Sequence, residues 1–533
     1  MNQTHEQPLH NSTDHRKFQE FLEEFVPRVE GKSVQLNKAC WLLETTGLAD
    51  AADLKAALDI ELKMLFNHPG TYQRLLEWDQ EASDPIDKRQ LNVLIRSFKQ
   101  NQIPKELLAK ISQKEAHLAQ SYAQFRPMID GKKVTENQIR EILKKAKDPI
   151  QRKKAWEASK EVGGELAPMI LELVELRNQA ARALAYPDYF QMQLALQEID
   201  STWLLHIFDE LSLKSDKAYE KLVKEIQKEQ KKHFQTDELG PWSWSDPFCQ
   251  EDPLNNQALD QLVQNIDIIQ ASETFYQKMG IDVGGILAHS DLYEREGKNQ
   301  HAFCLNIDRK KDIRTLNNVQ SSMKWLETVL HELGHGIYEL GFDETLPWLL
   351  REPPHMLSTE AMALLAGRQA YRSESLAELV VSSSPELRKE ADKSLCRRQL
   401  VFSRWVLVMT AFESELYRDP KQDLNQLWWS LVEKYQKIAC PNRSGKGDWA
   451  AKYHISLAPV YYFSYLLGEM FASSIQEMLY KVTGSRNLTN PQVGKILQTK
   501  LFSPGSSMSW VELARSVIGK DITPDAWVKE FAT

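Results

Sequence analysis

The chain has few of the residues that form disulfides or cysteine-type metal sites, and few of the apolar segments that span membranes or direct secretion. Only five cysteines occur among 533 residues; they are widely spaced and form no CxxC pair. A disulfide framework or a cysteine-type zinc site is therefore not expected. No run approaches 18 uninterrupted apolar residues, so no transmembrane helix is predicted. The first 20 residues contain no apolar stretch typical of a signal peptide, and we expect a cytoplasmic protein.

An excess of positive charge is also missing. Lys and Arg total 66 against 74 Asp and Glu, a formal net charge of −8, which argues against a dedicated nucleic-acid binder. The Lys-rich stretch 131–160 could in principle bind a polyanion, but such a stretch is more often a solvated helical face. With 42% apolar and 26% charged residues, the composition is that of an ordinary globular protein.

The spacing of apolar residues predicts helices along most of the chain. Residues 17–145 repeat apolar side chains at i, i+3 and i+4, interrupted by Pro and Gly. The Pro- and Trp-rich segment 239–254 predicts a long ordered loop, a kind of segment that often carries a site. A single hairpin is predicted, in which the alternating segment His301–Ile307 leads through the charged turn Asp308–Asp312 into Ile313–Leu316.

The chemistry is concentrated in HELGH, residues 331–335, within an apolar helix that Gly341 can end. His331 and His335 are four positions apart, so their imidazoles fall on one helical face about one turn apart. That placement suits two zinc ligands, and Glu332 beside them can act as a base toward a zinc-bound water. On the motif alone, two ordinary helix histidines remain an alternative.

A third ligand is predicted downstream at Glu360, twenty-five residues after His335. Ser358 or Thr359 can cap a new helix, which would put Glu360 in its first turn. Two histidines and a glutamate with an open fourth position form a catalytic rather than a structural zinc arrangement. His355 is the competing third ligand, although the preceding prolines place it less well.

A second cluster, KYHISLAPVYYFSY, spans residues 452–465 and combines a lysine, a histidine and several tyrosines. Such aromatic residues can simply belong to a core. A peptidase, however, needs hydrogen-bond donors for an oxyanion and a cation for a substrate carboxylate. Lysine, histidine and tyrosine can supply both.

Several of these segments resemble the angiotensin-converting-enzyme family of zinc dipeptidyl carboxypeptidases, peptidase family M2. HELGHGIY is similar to that family's HEMGH segment, and Glu360 falls at the position of its zinc glutamate. HAFC…KKDIR, which starts thirty residues before His331, is similar to the family's HAS…KDFR strand. WWSLVEKYQKIACP and AAKYHISLAPVYYFSY resemble WWYLRTKYQGICP and AKFHVPNVTPYIRYF. The resemblance extends from about residue 150 to the C-terminus and is strongest over 300–470.

The resemblance implies one Zn²⁺ ion held by His331, His335 and Glu360, with Glu332 activating the attacking water. Further implied roles concern the bound peptide and the reaction intermediate. Their residues are Tyr465 for the oxyanion, His454 for hydrogen bonds to the peptide and the intermediate, and His301 and Ala302 for the peptide backbone.

The substrate's C-terminal carboxylate would be held, by the same resemblance, by Lys452 and Tyr462, with Tyr461 as the alternative tyrosine. The family also uses a Gln in a WAQxW segment for this carboxylate. The corresponding segment here, Trp242–Trp244, reads WSW and has no Gln. The release of dipeptides rather than single residues is therefore left open.

Other departures from the family alter what we expect of the site. Relatives activated by chloride carry two arginines at the positions of Val432 and Ser464, so chloride activation is not expected. The family's acidic residue one turn after the zinc glutamate is Leu364 here, so the ligands need orienting partners from elsewhere. The disulfide cysteines of the extracellular relatives are missing near the HAS-like strand.

The resemblance implies a mainly α fold in which two helical lobes flank a deep substrate channel, with one short antiparallel β hairpin near the zinc. We expect a disordered tail at 1–15 and a single peptidase unit at 16–533, with lid-like helices over 16–150 and a catalytic core over 151–533. The expected activity is release of dipeptides from short peptides with a free C-terminus, without nucleic-acid or membrane partners. A zinc monocarboxypeptidase, an oligoendopeptidase of thimet type and a non-enzymatic scaffold remain alternatives, and the oligomeric state is open.

Overall fold

The structure is a computed structural model that describes residues 10–254, 257–380, 383–441 and 446–533. The first helix begins at His10, and residues 1–9 of the predicted disordered tail lie outside the described residues. No described helix is both long and apolar enough to cross a membrane. The prediction of a mainly α fold is confirmed, since helices make up most of the described chain.

The helices follow one another along the whole chain, separated by short turns and a few longer loops. Their bounds are α1 His10–Thr46, α2 Ala49–Phe66, α3 Pro69–Glu81, α4 Pro85–Gln100, α5 Lys105–Gln124, α6 Glu136–Lys145, α7 Pro149–Ala183, α8 Tyr189–Leu196, α9 Ser201–Phe234, α10 Ile268–Lys278, α11 Gly284–His289, α12 Met323–Leu340, α13 Met356–Gly367, α14 Ser373–Leu379, α15 Pro385–Arg418, α16 Leu424–Gln436, α17 His454–Leu457, α18 Phe463–Thr483, α19 Pro491–Leu497, α20 Trp510–Ile518 and α21 Asp525–Phe531.

Two antiparallel hairpins occur in the described residues, where a single one was predicted. The predicted hairpin is present as β3 Phe303–Asn306 paired with β4 Ile313–Leu316. The other pairs β1 Met128–Ile129 with β2 Lys132–Lys133. Its turn is Asp130–Gly131, and both residues have positive φ (50° and 78°). Asp-Gly is a strong signal for such a turn, but it lies in the Lys-rich stretch that was interpreted only as a solvated helical face.

The buried apolar side chains fall into two clusters. The larger one extends from Ile103 to Phe531 and includes the site helices α12, α13 and α18. The smaller one is built mainly from α1, α3 and α4, ends at Phe98, and is completed by Trp348 and Leu349 from the middle of the chain. The packing boundary thus falls near residue 100, ahead of the predicted lid boundary at 150, because α5 and α6 pack into the larger cluster.

Helix α12 carries the HELGH segment and packs closely against α13. Ser322 caps its first turn by accepting the backbone N–H of Trp325 at 3.3 Å, and the helix ends before Gly341, as predicted. Gly334 lies at the contact between the two helices, since a Cβ there would stand 2.7 Å from the Cα of Ala363. Only glycine permits this approach, and the approach brings Glu360 within reach of the histidines.

Candidate active site

The structure brings His331, His335 and Glu360 together as a possible metal-ligand group. One ligand atom from each residue lies within 4.8 Å of the other two. The Nε2 atoms of His331 and His335 are 3.7 and 3.9 Å from Oε2 of Glu360. The two imidazole rings are 4.9 Å apart and nearly perpendicular. The histidines come from α12 and the glutamate from α13, so the packing of these helices forms the group.

The chemistry of this group fits a divalent zinc ion. Glu360 is 4% exposed, and its Oε2 has no hydrogen-bond partner in the described chain. An orphaned carboxylate oxygen facing two imidazole nitrogens is costly unless a cation lies between them. Burial lowers the pKa of His331 to about 4, and burial followed by repulsion from His331 lowers the pKa of His335. Neutral imidazoles are the form that binds a metal.

Helix α13 also supplies the partners that orient both histidines. The Thr359 hydroxyl lies 2.7 Å from Nδ1 of His335. The backbone of Ala363 hydrogen-bonds the ring of His331. These contacts take the place of the acidic partner that is missing at Leu364, and they leave Nε2 of each ring for a metal. Neither partner was identified from the sequence.

The start of α13 differs from the prediction. The helix begins at Met356 and not after Ser358 or Thr359, so Glu360 lies beyond its first turn. His355 is the cap, because its Nδ1 accepts the backbone N–H of Leu357 at 2.9 Å. The prolines before His355 stop the helix from extending further back. As a cap, His355 lies outside the described metal-ligand group.

Glu332 is buried beside the ligands, with 7% of its surface exposed. Its pKa is raised to about 8, first by burial and then by the negative charge of Glu360. A cation at the ligand group would oppose both effects, because it stabilises a nearby carboxylate. Glu332 is thus a carboxylate whose proton affinity depends on the occupancy of the neighbouring site.

The tyrosines of the second cluster divide between two places. Tyr461 and Tyr465 hydrogen-bond each other, and both pKa values are raised, first by burial, with Glu360 contributing. Tyr462 instead packs on His454, with ring centres 4.9 Å apart. Its ring centre is also 5.5 Å from Nζ of Lys452. Tyr461 therefore lies with the metal ligands, whereas Tyr462 accompanies the lysine.

Lys452 is a nearly buried ammonium, 7% exposed. Burial lowers its pKa to about 8, and Asp246 is the largest opposing charge. Its Nζ donates to Oε1 of Gln250 at 3.3 Å. Sequence reasoning missed Gln250, because the amide was sought in the WSW segment. The only available signal was that Gln250 belongs to the loop predicted to carry a site.

The loop around Gln250 is held by buried hydrogen bonds. The Asp246 carboxylate accepts the backbone N–H groups of Phe248, Gln250 and Glu251 at 2.9–3.0 Å. Gln436 donates its side-chain amide to the carbonyls of Phe248 and Cys249 at 3.0 and 2.9 Å. We call residues 246–251 the glutamine loop. Its position is fixed by these bonds rather than by regular secondary structure.

His301 and Ala302 lie just before β3 and not within it, so the strand is shorter than predicted. Burial, followed by electrostatic interactions with Lys452 and then His301, lowers the pKa of His454 to about 3. His301 therefore lies on the same side of the site as His454. In the described residues β3 pairs with a strand on only one edge, that of β4.

The two positions linked to chloride activation, Val432 and Ser464, are both buried.

This combination of two helical histidines, a third carboxylate ligand and an adjacent buried glutamate defines a metallopeptidase site of the zinc-dependent class. The profile of peptidase family M3 matches residues 142–533, and the chain belongs to that family. A second profile, described as angiotensin-converting enzyme, matches residues 12–237. The resemblance to an angiotensin-converting-enzyme-like zinc peptidase is thus confirmed, but that enzyme's profile matches the N-terminal helices, where little similarity was expected. The region 300–470, where the resemblance was expected to be strongest, is matched by the M3 profile.

Curated relatives support the resemblance to angiotensin-converting enzyme. The angiotensin-converting enzyme of Theromyzon tessulatum is 21% identical over 426 residues, which cover 72% of this chain and 68% of the relative. The enzyme of Bos taurus is 21% identical over 409 residues, 69% of this chain and 31% of the relative. That of Oryctolagus cuniculus is 25% identical over 235 residues, 41% of this chain and 18% of the relative. The chain thus spans less than a third of the length of either mammalian relative.

Proposed function

We propose that this zinc metallopeptidase removes dipeptides from the C-terminus of short peptides. The observation that carries the proposal is the nearly buried ammonium of Lys452, two residues from His454 and on the segment that leads to Tyr465. A buried cation in a peptidase site is a receptor for a free carboxylate. A fixed carboxylate receptor sets how far from the chain end the bond is cut.

Zinc, bound by His331, His335 and Glu360, would supply Lewis-acid polarisation of the scissile carbonyl and a lowered pKa for water. Glu332 takes a proton from the attacking water and returns it to the leaving amine. Its burial keeps bulk water away and strengthens its interactions with the reacting atoms. The residue therefore serves first as base and then as acid.

The tyrosines and the histidine stabilise the oxyanion that develops on the carbonyl oxygen. Tyr465, which donates its hydroxyl proton to Tyr461 in the structure, turns that proton to the oxyanion, and Tyr461 then donates its own proton to the Tyr465 oxygen and holds that hydroxyl in place. The ring of His454 binds the peptide and the intermediate; its Nδ1 is buried without a partner in the described chain. Donors of this kind act most strongly where charge appears in the transition state.

The substrate backbone extends along the edge of β3 that faces away from β4, next to His301 and Ala302, as an added strand. Its C-terminal carboxylate is held by Lys452, with Tyr462 packed beside the ammonium. Gln250 supplies the amide that the family places in its WAQxW segment. This assignment restores a carboxylate clamp although the WSW segment lacks a glutamine.

The proposal extends to the surroundings of the site. The enzyme uses one zinc ion and no chloride activation, because neutral residues occupy both chloride-linked positions. Two helical lobes enclose the substrate channel, with the N-terminal helices as a lid that admits only short peptides. We place the protein in the cytoplasm, without nucleic-acid or membrane partners.

An oligoendopeptidase is the second candidate, and the match to peptidase family M3 over residues 142–533 favours it. Such an enzyme cuts inside a short peptide and does not require a free C-terminus. A zinc monocarboxypeptidase needs the same carboxylate receptor but removes single residues. A non-enzymatic scaffold would bind zinc and peptide without cleavage.

The test is mass spectrometry of the products from a ten-residue peptide and its C-terminally amidated twin. Glu332→Gln serves as the inactive control. Lys452→Met removes the proposed receptor, and Lys154→Met is a matched control because Lys154 is an exposed lysine paired with Asp130. We expect stepwise loss of dipeptides from the free peptide, suppression by amidation or by Lys452→Met, and no change with Lys154→Met.

Each other outcome selects a different function. Release of single residues would make the protein a monocarboxypeptidase. Internal cuts that ignore amidation would establish the oligoendopeptidase. Absence of cleavage by a zinc-loaded protein would leave the scaffold.

A further inference from the structure

Lys160, near the middle of α7, is a buried cation that the proposed mechanism does not use. It is 2% exposed, less than Lys452. Its Nζ lies 3.4 Å from the ring centre of Phe248 and 5.5 Å from that of Trp156. In the part of the chain that the structure describes, Nζ has no hydrogen bond and no ion pair within 4.0 Å. Lysines are almost never this buried unless an anion accompanies them.

The acidic residues around Lys160 are engaged elsewhere. Asp448 and Asp246 both act on it at a distance. Asp246 accepts three backbone N–H groups of the glutamine loop. Asp448 accepts the indole N–H of Trp429 at 3.2 Å. These carboxylates reduce the cost of burying the ammonium without occupying its hydrogen-bonding positions.

Lys452 approaches the same aromatic ring. Its Nζ is 5.2 Å from the ring centre of Phe248, while that of Lys160 is 3.4 Å away. We call Lys160 and Lys452 the lysine pair. The ring faces both ammoniums and stabilises each through its π electrons. The glutamine loop fixes that ring, because Asp246 and Gln436 bind its backbone.

Burial disfavours the charged form of both members of the lysine pair. The pKa of Lys160 is lowered to about 7, by burial first, and Lys452 contributes to the lowering. The pKa of Lys452 is lowered to about 8, again by burial first. An anion bound next to either ammonium would oppose this lowering. Both Nζ atoms lie over the same fixed ring, so a ligand that carries two carboxylates can pair with each ammonium.

We propose that the lysine pair recognises peptides whose last residue is Asp or Glu. The α-carboxylate binds Lys452, and the side-chain carboxylate of the same residue binds Lys160. This inference rests on the proposed function, because it takes Lys452 as the receptor of the chain end. It adds a specificity that neither the family profiles nor the relatives' names state.

The experiment measures binding separately from cleavage. Zinc-loaded Glu332→Gln protein is titrated calorimetrically with two peptides that differ only in ending with Glu or with Gln. A charge-assisted contact predicts about ten- to hundredfold tighter binding of the Glu peptide. The ratio should fall to near one when Lys160→Met is added. Lys154→Met, an exposed lysine on the same helix, should leave the ratio as it was.

Three results would overturn the proposal: equal affinities in the protein with both lysines, a preference that survives Lys160→Met, or binding of neither peptide. Equal affinities would mean that one α-carboxylate is shared by the pair. The first titration needs no lysine variant, so a misfolded Lys160→Met protein does not block the test. Lys160→Gln provides a second substitution, with circular dichroism to check folding.

Cleavage of the Gln-ending peptide by the unaltered protein tests the proposed function independently. Products other than dipeptides would refute dipeptide release, while the Glu-to-Gln binding ratio would still report on the lysine pair. Conversely, dipeptide release with equal affinities would retain the proposed function and reject the acidic preference.

Discussion

The metal-ligand group and the substrate-end region are built in opposite ways. His331 and His335 lie on α12 and Glu360 lies on α13, and the close packing of these two helices aligns the three side chains. Lys452 and Gln250 come from a short turn and from the glutamine loop, held by individual hydrogen bonds. Helices give the reacting atoms a rigid frame, whereas loops allow the recognised substrate to change. The proposed chemistry therefore rests on the rigid half of this site and the proposed specificity on its adjustable half.

The sharpest test of the helical half is Glu332→Gln. We expect kcat to fall by about 10²–10⁴, because the base that accepts the water proton is lost. Zinc content, measured by elemental analysis, should stay at one ion per chain, since Glu332 is not among the ligands. A variant that loses zinc as well would show that Glu332 supports the ligand group.

The start of α18, where the loop before it meets the helix, is tested by two substitutions, Tyr465→Phe and Tyr461→Phe. Loss of an oxyanion donor typically lowers kcat by about 10²–10³, and we expect this for Tyr465 with little change in KM. Tyr461→Phe should have a smaller effect, because it removes only the hydroxyl that positions Tyr465. Steady-state kinetics on one peptide compares the two directly, and a reversed order would exchange their roles.

A substitution in the helical half is expected to weaken zinc binding without altering a residue that acts on the substrate. Thr359→Val removes the hydroxyl next to Nδ1 of His335 while keeping the side chain's shape. Loss of such an orienting partner lowers metal affinity by about ten- to hundredfold. Competition with a zinc chelator measures this. Thr328→Val is the control, because that exposed hydroxyl bonds only within α12, and an equal loss in both would rule out orientation as the cause.

The loop half predicts a dependence of stability on pH. Glu413 is 2% exposed and accepts the backbone N–H of Val460, the residue before Tyr461, at 2.8 Å. Burial raises its pKa from 4.5 to about 8. A folded-state pKa above the unfolded value gives stability that is complete below about pH 4.5 and lost as pH rises through 8.

Glu413→Gln keeps an oxygen for Val460 but cannot ionise. Between pH 5 and pH 8 its free energy of unfolding should therefore fall less than that of the unaltered protein, by about 1.4 kcal/mol for each unit of pKa shift removed. Urea titration at the two pH values measures the difference. Parallel changes in both proteins would mean that Glu413 is not the group responsible.

The same division explains what the sequence could reveal. Apolar periodicity and HExxH spacing follow from helix geometry, so α12, its end at Gly341 and the placing of His331 and His335 on one helical face could be predicted. The cap of α13 could not, because any residue with a side-chain acceptor could follow the two prolines, and His355 was weighed only as a ligand. The partners Thr359 and Ala363 depend on how two helices pack, which has no local signature.

Gln250 illustrates the limit more clearly. Its place beside Lys452 depends on Cys249 adopting a left-handed conformation (φ 55°) and on distant Gln436 holding the loop. Neither condition is visible in a run of residues. The segment could be identified as a loop that carries a site, but not which of its side chains turns toward the lysine.

The separate cluster of the N-terminal helices makes ionic strength a control variable for this enzyme. Beyond Trp348 and Leu349, the contacts that join it to the main body include the nearly buried ion pair Arg89–Glu198 at 2.6 Å and the more exposed pair Lys310–Glu30 at 2.7 Å. Salt screens exposed pairs of charges while leaving buried pairs and apolar burial nearly intact. Added salt should therefore weaken Lys310–Glu30 while Arg89–Glu198 and the catalytic helices remain packed, and under the proposed lid role peptide entry would respond to the medium before the chemistry does.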